Sequence, residues 1–151
     1  MDNPYFMGVD LLPQILRSAI FKLVLKSFGK GSTIDYKTYI RYPSLVSIGE
    51  RTTINRGCSF LPSIHYRDIE IIIGNHVAVA PDVCFIAVGH EYRKLNLPVT
   101  AASVRVGDYV WIGARSVILP GVTIDEGGGC GRWFGCDKGR AGLYSGWRLP
   151  G

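Results

Sequence analysis

The stretch VRVGDYVWIGARSVILPGVTI, residues 104–124, has an aliphatic residue at every sixth position: Val106, Ile112, Ile118 and Ile124. A period of six fits neither an amphipathic helix, which repeats every ~3.6 residues, nor a simple alternating strand. It fits short strands joined by tight corners, three strands to a coil. The aliphatic anchors would then point into a narrow prism.

The same period extends upstream through two further groups of anchors: Ile48, Ile54 and Phe60, then Ile73, Val79 and Phe85. Ile34 and Ile40 begin the rhythm, which slips by two residues around Leu45 and Val46. The residue after an anchor is usually small or polar: Gly49, Asn55, Gly74, Ala80, Gly107, Gly113 and Asp125. Such residues let the backbone bend at a corner. The pattern predicts stacked coils whose strands pair in parallel around Ile and Val ladders.

Residues 34 to about 127 resemble the hexapeptide-repeat acyltransferases, and the 104–124 stretch is among the most specific parts of that resemblance. The resemblance implies a left-handed coil, an exception to the right-handed crossover rule, and spacing alone does not give this hand. The predicted fold class is an all-β solenoid, a left-handed parallel β-helix with an N-terminal helix and an irregular C-terminal tail. The predicted units are 1–33, 34–127 with a loop at 86–105, and 128–151.

The chain has 151 residues, 47% of them hydrophobic, and a formal charge of +5. These values are typical of one soluble globular domain, and no nucleic-acid partner is predicted. The cysteines form neither a disulfide framework nor paired Cys-x-x-Cys zinc ligands: Cys58, Cys84, Cys130 and Cys136. Free thiols and the lack of a signal-peptide pattern in residues 1–10 predict a cytoplasmic protein. Arg17, Lys22 and Lys26 interrupt the apolar run at residues 11–28, which is not expected to span a bilayer.

Ahead of the repeats, apolar residues recur at helical spacing: Leu12, Leu16, Ala19, Ile20 and Leu23. This stripe predicts a helix packed over the open end of the first coil, where it would cover strand edges and core. The alternative is a helix that lies in a membrane interface, with Lys22, Lys26 and Lys30 facing anionic lipid.

The six-residue rhythm breaks between Phe85 and Val104, and an interrupted solenoid is a common place for function. This region resembles the galactoside, maltose and polysaccharide O-acetyltransferases, in which the histidine of a Gly-His pair is the catalytic base. His90 follows Gly89 and takes that position by resemblance. A hydroxyl needs such a base to attack near neutral pH, and imidazole titrates in a suitable range.

By the same resemblance, Asn55 helps to hold the acceptor hydroxyl. The alternatives for Asn55 are an asparagine ladder or a corner residue in the left-handed conformation. The stretch YVWIGARSVILPGV, residues 109–122, would line the acetyl-CoA groove. There the backbone at Ala114 would pair with the pantetheine arm, Trp111 would pack near the site, and Arg115 is a candidate for a CoA phosphate. Trp111 as surface packing and Arg115 as an ordinary exposed side chain stay open.

The resemblance implies an acetyl-CoA-dependent O-acetyltransferase that acts on a saccharide or related small hydroxyl compound, uses no metal, and forms trimers with sites between subunits. A β-helical carbonic anhydrase would hold zinc on three histidines, but His65, His76 and His90 lack the close pair that this family would show. A serine-type or antibiotic acetyltransferase on the same fold, and a non-catalytic scaffold, remain as further alternatives.

Beyond residue 127 the sequence changes character, since GGCGRWFGCDKGRAGLYSGWRLPG, residues 128–151, has no six-residue anchors of the aliphatic kind seen before it. The resembling family continues with another coil, Ala-Val-Val-Gly-Ala-Gly-Ser-Val-Val-Thr-Lys-Asp-Val-Pro. Codons read one nucleotide later can encode that coil from Gly128 onward, and the segment Asp137–Gly139 would have to give Thr-Lys-Asp. We therefore hypothesise a frameshift near codon 127. The expected consequences are an irregular tail, missing cofactor contacts from the final coil, and weak activity.

Overall fold

The computed structural model describes residues 9–64, 69–90, 95–96, 98–130 and 135–136. Three five-stranded sheets form the faces of a prism. Sheet A contains β1 (Ser27–Phe28), β4 (Val46–Ile48), β7 (Ile71–Ile73), β12 (Val104–Val106) and β15 (Thr123–Ile124). Sheet B contains β2 (Thr33–Ile34), β5 (Thr53–Ile54), β8 (Ala78–Val79), β13 (Trp111–Ile112) and β16 (Gly129–Cys130). Sheet C contains β3 (Tyr39–Ile40), β6 (Ser59–Leu61), β9 (Cys84–Ile86), β14 (Val117–Ile118) and β17 (Gly135–Cys136).

The pairing within the three sheets is parallel, and the chain visits sheets A, B and C in turn, once per coil. The register stacks anchor on anchor, because Ile73 is the Cα partner of both Ile48 and Val106. A hairpin of β10 (Val88–His90) and β11 (Val99–Ala101) leaves the third coil, and α1 (Gln14–Val24) precedes the first. The predicted parallel β-helix is confirmed.

The anchors of the six-residue rhythm form the core, as predicted, and all of them are buried: Ile34, Ile40, Ile48, Ile54, Phe60, Ile73, Val79, Phe85, Val106, Ile112, Ile118 and Ile124. In sheet C, Phe60 and Phe85 stack with ring centroids 4.7 Å apart. The slip in the rhythm corresponds to a 3-10 turn at Pro43–Leu45, which follows Tyr42 in the left-handed region.

The small residue after an anchor is required by the close approach of successive coils. A Cβ on Gly74 would lie 2.7 Å from the carbonyl carbon of Gly107 in the next coil, so the backbone would have to shift to admit a side chain. The left-handed conformations lie further along each corner, for example at Arg51 and Asp82. The bend therefore does not depend on Gly74.

Buried hydroxyl groups join the coils at the corner between sheets A and B. The Thr52 hydroxyl donates to the Gly74 carbonyl at 2.8 Å and accepts the Val77 N–H at 3.1 Å. Ser32 makes the equivalent pair of bonds one coil earlier, with the Gly49 carbonyl and the Thr52 N–H. Each hydroxyl satisfies two backbone groups, a carbonyl in a partly buried bond and an N–H in a buried one.

Replacing Thr52 with valine is expected to lower the free energy of unfolding by about 2 kcal/mol or more. The isosteric side chain leaves the buried Val77 N–H and the partly buried Gly74 carbonyl without this partner, and an unsatisfied buried group costs about 1–3 kcal/mol. Thr52→Ser is the matched control, because it keeps the hydroxyl and loses one methyl group, worth about 1 kcal/mol. Denaturant unfolding measures both variants, and a Thr52→Val chain as stable as Thr52→Ser would contradict this role.

The helix α1 covers the first coil, but partly through a different face from the one predicted. Phe21 and Leu25 are buried in the core, and the Arg17 guanidinium donates to the Ile34 carbonyl at 2.9 Å. Leu16 and Leu23 of the predicted stripe are 52% and 85% exposed. Ile20 of the stripe is partly buried against the core, so the predicted packing face is only partly correct. The apolar period predicts which residues share a stripe. It does not predict that the buried side of the helix includes a charged residue, Arg17, which bonds the carbonyl at the end of β2.

The solenoid extends past both of its predicted boundaries. At the start, β1 already pairs with β4, so the first coil begins at Ser27 rather than at residue 34. At the end, Ile112 is paired with Cys130 and Ile118 with Cys136 in parallel register. Residues 129–130 and 135–136 of the predicted irregular tail are therefore short strands, because parallel pairing needs main-chain groups rather than aliphatic side chains. Residues 131–134 and 137–151 lie outside the described part.

Candidate active site

His90 is the last residue of β10, on a hairpin that leaves the corner between sheets C and A. The hairpin is tied to the prism, since the Ala87 carbonyl accepts the Ala102 N–H at 3.0 Å. A Cβ on Gly89 would contact the Pro120 ring of the next coil at 3.6 Å. The side chain of His90 is exposed. The main chain therefore holds an accessible imidazole close to the body of the solenoid, where the sequence predicted only a loop.

Asn55 follows the anchor Ile54 at the corner between sheets B and C. Its N–H and its Nδ2 both donate to the Val79 carbonyl of the next coil, at 3.0 and 2.8 Å. Neither alternative for this residue holds. The left-handed position of the corner is Gly57, with φ 73°, and the equivalent residue of the next coil is Ala80 rather than another asparagine. The described contacts of the amide thus fix the orientation of the Asn55 side chain.

The predicted cofactor-binding residues lie on the same corner or beside it, in the fourth coil. The corner has a ladder in which Asp82 N–H donates to the Arg56 carbonyl and Arg115 N–H donates to the Pro81 carbonyl, both at 3.0 Å. The Ala114 carbonyl is the next acceptor in this series, and the equivalent donor falls outside the described residues. An extended amide ligand such as a pantetheine arm has matching hydrogen-bonding groups for a backbone position of this kind.

Arg115 and Trp111 have different surroundings. Arg115 Nε lies 3.8 Å from a carboxylate oxygen of Asp82, and both side chains are about half exposed. Trp111 lies on sheet B, 57% exposed, between the small partners Ala78 and Gly129. Sequence reasoning missed Asp82, although the repeat register shows it: Asp82 and Arg115 both follow their anchors by three residues in successive coils.

The structure brings together only part of the predicted site. Asn55, Ala114 and Arg115 share the corner between sheets B and C, in the second and fourth coils. His90 lies beyond sheet C, on the hairpin that follows the next corner. Trp111 lies on the face before the shared corner. Within one chain, His90 and Asn55 therefore stand at different edges of the prism.

Metal-ligand groups and reactive thiols are the other chemistries that histidine and cysteine side chains could supply. Across the part of the chain that the structure describes, no three His, Cys, Asp or Glu side chains gather to hold a metal, and His65 lies outside that part. The His76 ring stacks on Tyr109 with centroids 4.8 Å apart. Cys58, near Asn55, is buried, and desolvation raises the pKa of its thiol to about 11. A nucleophilic thiolate is therefore disfavoured at Cys58.

No family model matches the chain. The galactoside O-acetyltransferase of Escherichia coli (strain K12) is 30% identical over 114 residues, which are 73% of this chain and 53% of that protein. A maltose O-acetyltransferase from Clostridium difficile 630 has the same fold, with a TM-score of 0.72 and 26% identity over 83% of this chain and 67% of that one. A hexapeptide-repeat acetyltransferase from Vibrio cholerae, complexed with acetyl coenzyme A, gives a TM-score of 0.68 and 26% identity, over 82% and 65% of the two chains.

The chain belongs to the hexapeptide-repeat acetyltransferase family. The fold shared with these proteins is the left-handed parallel β-helix, as the sequence resemblance implied. The chain spans about half the length of the curated relatives that it matches. Within the described residues, no helix is long and apolar enough to cross a membrane.

Proposed function

We propose that this hexapeptide-repeat protein is an acetyl-CoA-dependent O-acetyltransferase that acts on a hydroxyl of a saccharide or related small molecule. The observation that carries the proposal is the position of His90, whose exposed imidazole is held where a hairpin interrupts the repeat. The relatives support the substrate class, because they are named for galactoside and maltose O-acetylation.

In the proposed reaction, the neutral His90 imidazole accepts the proton of the acceptor hydroxyl as its oxygen attacks the thioester carbonyl. A C–O bond forms, and the C–S bond of acetyl-CoA breaks when the tetrahedral intermediate collapses. The CoA sulfur leaves as a thiolate and takes the proton back from the imidazolium. Backbone N–H groups would stabilise the oxyanion. The buried Cys58 thiol argues for this direct transfer and against an acetyl-thiol intermediate at that residue.

Acetyl-CoA would lie along the corner between sheets B and C. The main chain at Ala114 would pair with the pantetheine arm, and Trp111 would pack beside it. Arg115 would share its charge between Asp82 and a CoA phosphate. Because His90 and Asn55 stand at different edges of one prism, a site that uses both requires a second subunit. We therefore propose a homotrimer with sites between subunits, located in the cytoplasm, where thiols such as Cys58 and Cys84 remain free.

Release of the CoA thiol tests the proposed function. The chain would be incubated with acetyl-CoA and a panel of saccharides, and separately with serine and amine antibiotics. Turnover with a saccharide only is the expected result. Turnover with serine or an antibiotic instead would move the acceptor to another class. A correctly folded chain that binds CoA and transfers to none of these acceptors would favour a non-catalytic scaffold.

Replacing Asn55 with alanine is expected to lower kcat/KM for the acceptor about fivefold or more, because one hydrogen bond to a hydroxyl is worth about 1 kcal/mol. The KM for acetyl-CoA should not change. Asn75→Ala is the matched control, since Asn75 is a corner asparagine that bonds Asp108 on another edge of the prism. A lower melting temperature with unchanged kinetics would leave Asn55 a purely structural residue.

A further inference from the structure

We propose that the outward face of α1 and the turn before it docks on an anionic lipid surface. The outward face comprises exposed apolar residues of the helix and of the turn before it: Leu11, Ile15, Leu16, Ala19 and Leu23. Ile15 and Ala19, with Lys22, also border an open groove against Phe28 and Thr33 of the first coil. Leu11, Ile15 and Leu23 are 87%, 84% and 85% exposed. Large apolar side chains grouped on one exposed helix face mark an interaction site, because their contact with water is unfavourable.

The prism does not need this face for its own packing. Residues four apart on the opposite side, Arg17, Phe21 and Leu25, make the contact with the first coil. At helical spacing, Ile15, Ala19 and Leu23 follow one another on the outer side. The helix thus has two functional sides, one that caps the solenoid and one that presents hydrocarbon to the surroundings.

The charges around the outward face fit an anionic partner. Lys22 is the one charged side chain exposed on α1 itself, and Lys30 is exposed just beyond the helix. Asp10, at the edge of this region, is already engaged by Arg17 at 3.8 Å and by the Lys37 N–H at 3.0 Å. A second copy of the same face would bring lysines against lysines, whereas an anionic lipid surface supplies the opposite charge.

An interfacial helix of this composition binds by two additive effects. Its leucine and isoleucine side chains enter the boundary between headgroups and acyl chains, and its lysines are attracted to anionic headgroups. Lys26 contributes less to the second effect than its position suggests, since its ammonium group forms an ion pair with Glu70. Lys22 and Lys30 are therefore the lysines that should determine lipid-charge dependence.

Co-sedimentation of the full chain with vesicles tests the proposal. Vesicles of phosphatidylcholine with roughly one third phosphatidylserine should bind the chain, and phosphatidylcholine alone should bind it at least tenfold more weakly. Ile15→Ser/Leu23→Ser should reduce binding at least tenfold. Lys22→Gln and Lys30→Gln should each reduce it about fivefold. The controls are Leu95→Ser, another fully exposed leucine, and Arg105→Gln, another exposed cation, which should bind as the original chain does.

Two results would overturn the proposal. One is the absence of binding to the phosphatidylserine vesicles by a chain whose melting curve shows that it is folded. The other is binding that Ile15→Ser/Leu23→Ser leaves unchanged while light scattering shows that this variant loses an oligomeric state. The outward face would then be a contact between copies of the chain. Both changed positions are exposed, so the variant should retain the melting temperature of the original chain.

Discussion

Replacing His90 with alanine is expected to lower kcat by about 10²–10⁴-fold, the usual contribution of a general base. Without the imidazole, the acceptor hydroxyl must lose its proton to water as it attacks the thioester. The KM for acetyl-CoA should change little, because the proposed proton transfer involves the acceptor rather than the pantetheine arm. Steady-state release of the CoA thiol, with the acceptor concentration varied, measures both constants.

His76→Ala is the matched control, since His76 is also exposed but stacks on Tyr109 at a different corner. It should retain the turnover of the original chain, which the hypothesised frameshift is expected to make weak. Near-normal kcat in His90→Ala would remove His90 from the mechanism. A chelator should leave the activity of the original chain unchanged, and a loss that zinc restores would instead revive the zinc-enzyme alternative.

Much of the fold could be predicted because each six-residue step corresponds to one strand and one corner of a coil. Each anchor in the 104–124 stretch is buried, and the register pairs it with the anchor of the neighbouring coil. The orientation of α1 could not be predicted in this way. A stripe from Leu12 to Leu23 shows amphipathicity, but it does not say whether the stripe faces protein or another partner. The buried Arg17, which bonds the Ile34 carbonyl, decided that question.

The candidate site was only partly predictable for a similar reason. The repeat register gives the corner of a residue, so Asn55, Ala114 and Arg115 could be placed on one edge from the sequence. His90 follows the break in the repeat, so the six-residue period does not predict its position. Its place depends on the antiparallel pairing of β10 with β11 and on the contact of Gly89 with Pro120, which are tertiary contacts without a sequence signature.

The strand pairing of the tail bears on the frameshift hypothesis. The six-residue spacing does continue, through Cys130 and Cys136, which are paired with Ile112 and Ile118. The shifted reading frame would place valine at positions 129, 130, 135 and 136, the same four residues that form β16 and β17. The valines of the shifted frame thus fall on the strand positions and not one residue before or after them. A shift of one residue would exchange the two faces of each strand, so this agreement supports the frameshift hypothesis.

The substitutions Gly129→Val, Cys130→Val, Gly135→Val and Cys136→Val are therefore expected to raise the free energy of unfolding by about 2–4 kcal/mol. Valine in place of glycine stabilises a strand by about 1 kcal/mol, and β-branched valine is among the residues enriched in strands. The control has four valines one position earlier, at 128, 129, 134 and 135. It should be destabilising, because a Cβ on Gly128 would lie 2.9 Å from the Asp125 carbonyl oxygen.

Denaturant unfolding compares the stability of the two valine variants. The nucleotide sequence of codons 125–151 tests whether a frameshift produced the tail. A shifted frame that does not spell the coil would refute the frameshift, and equal stability of the two variants would refute the register argument.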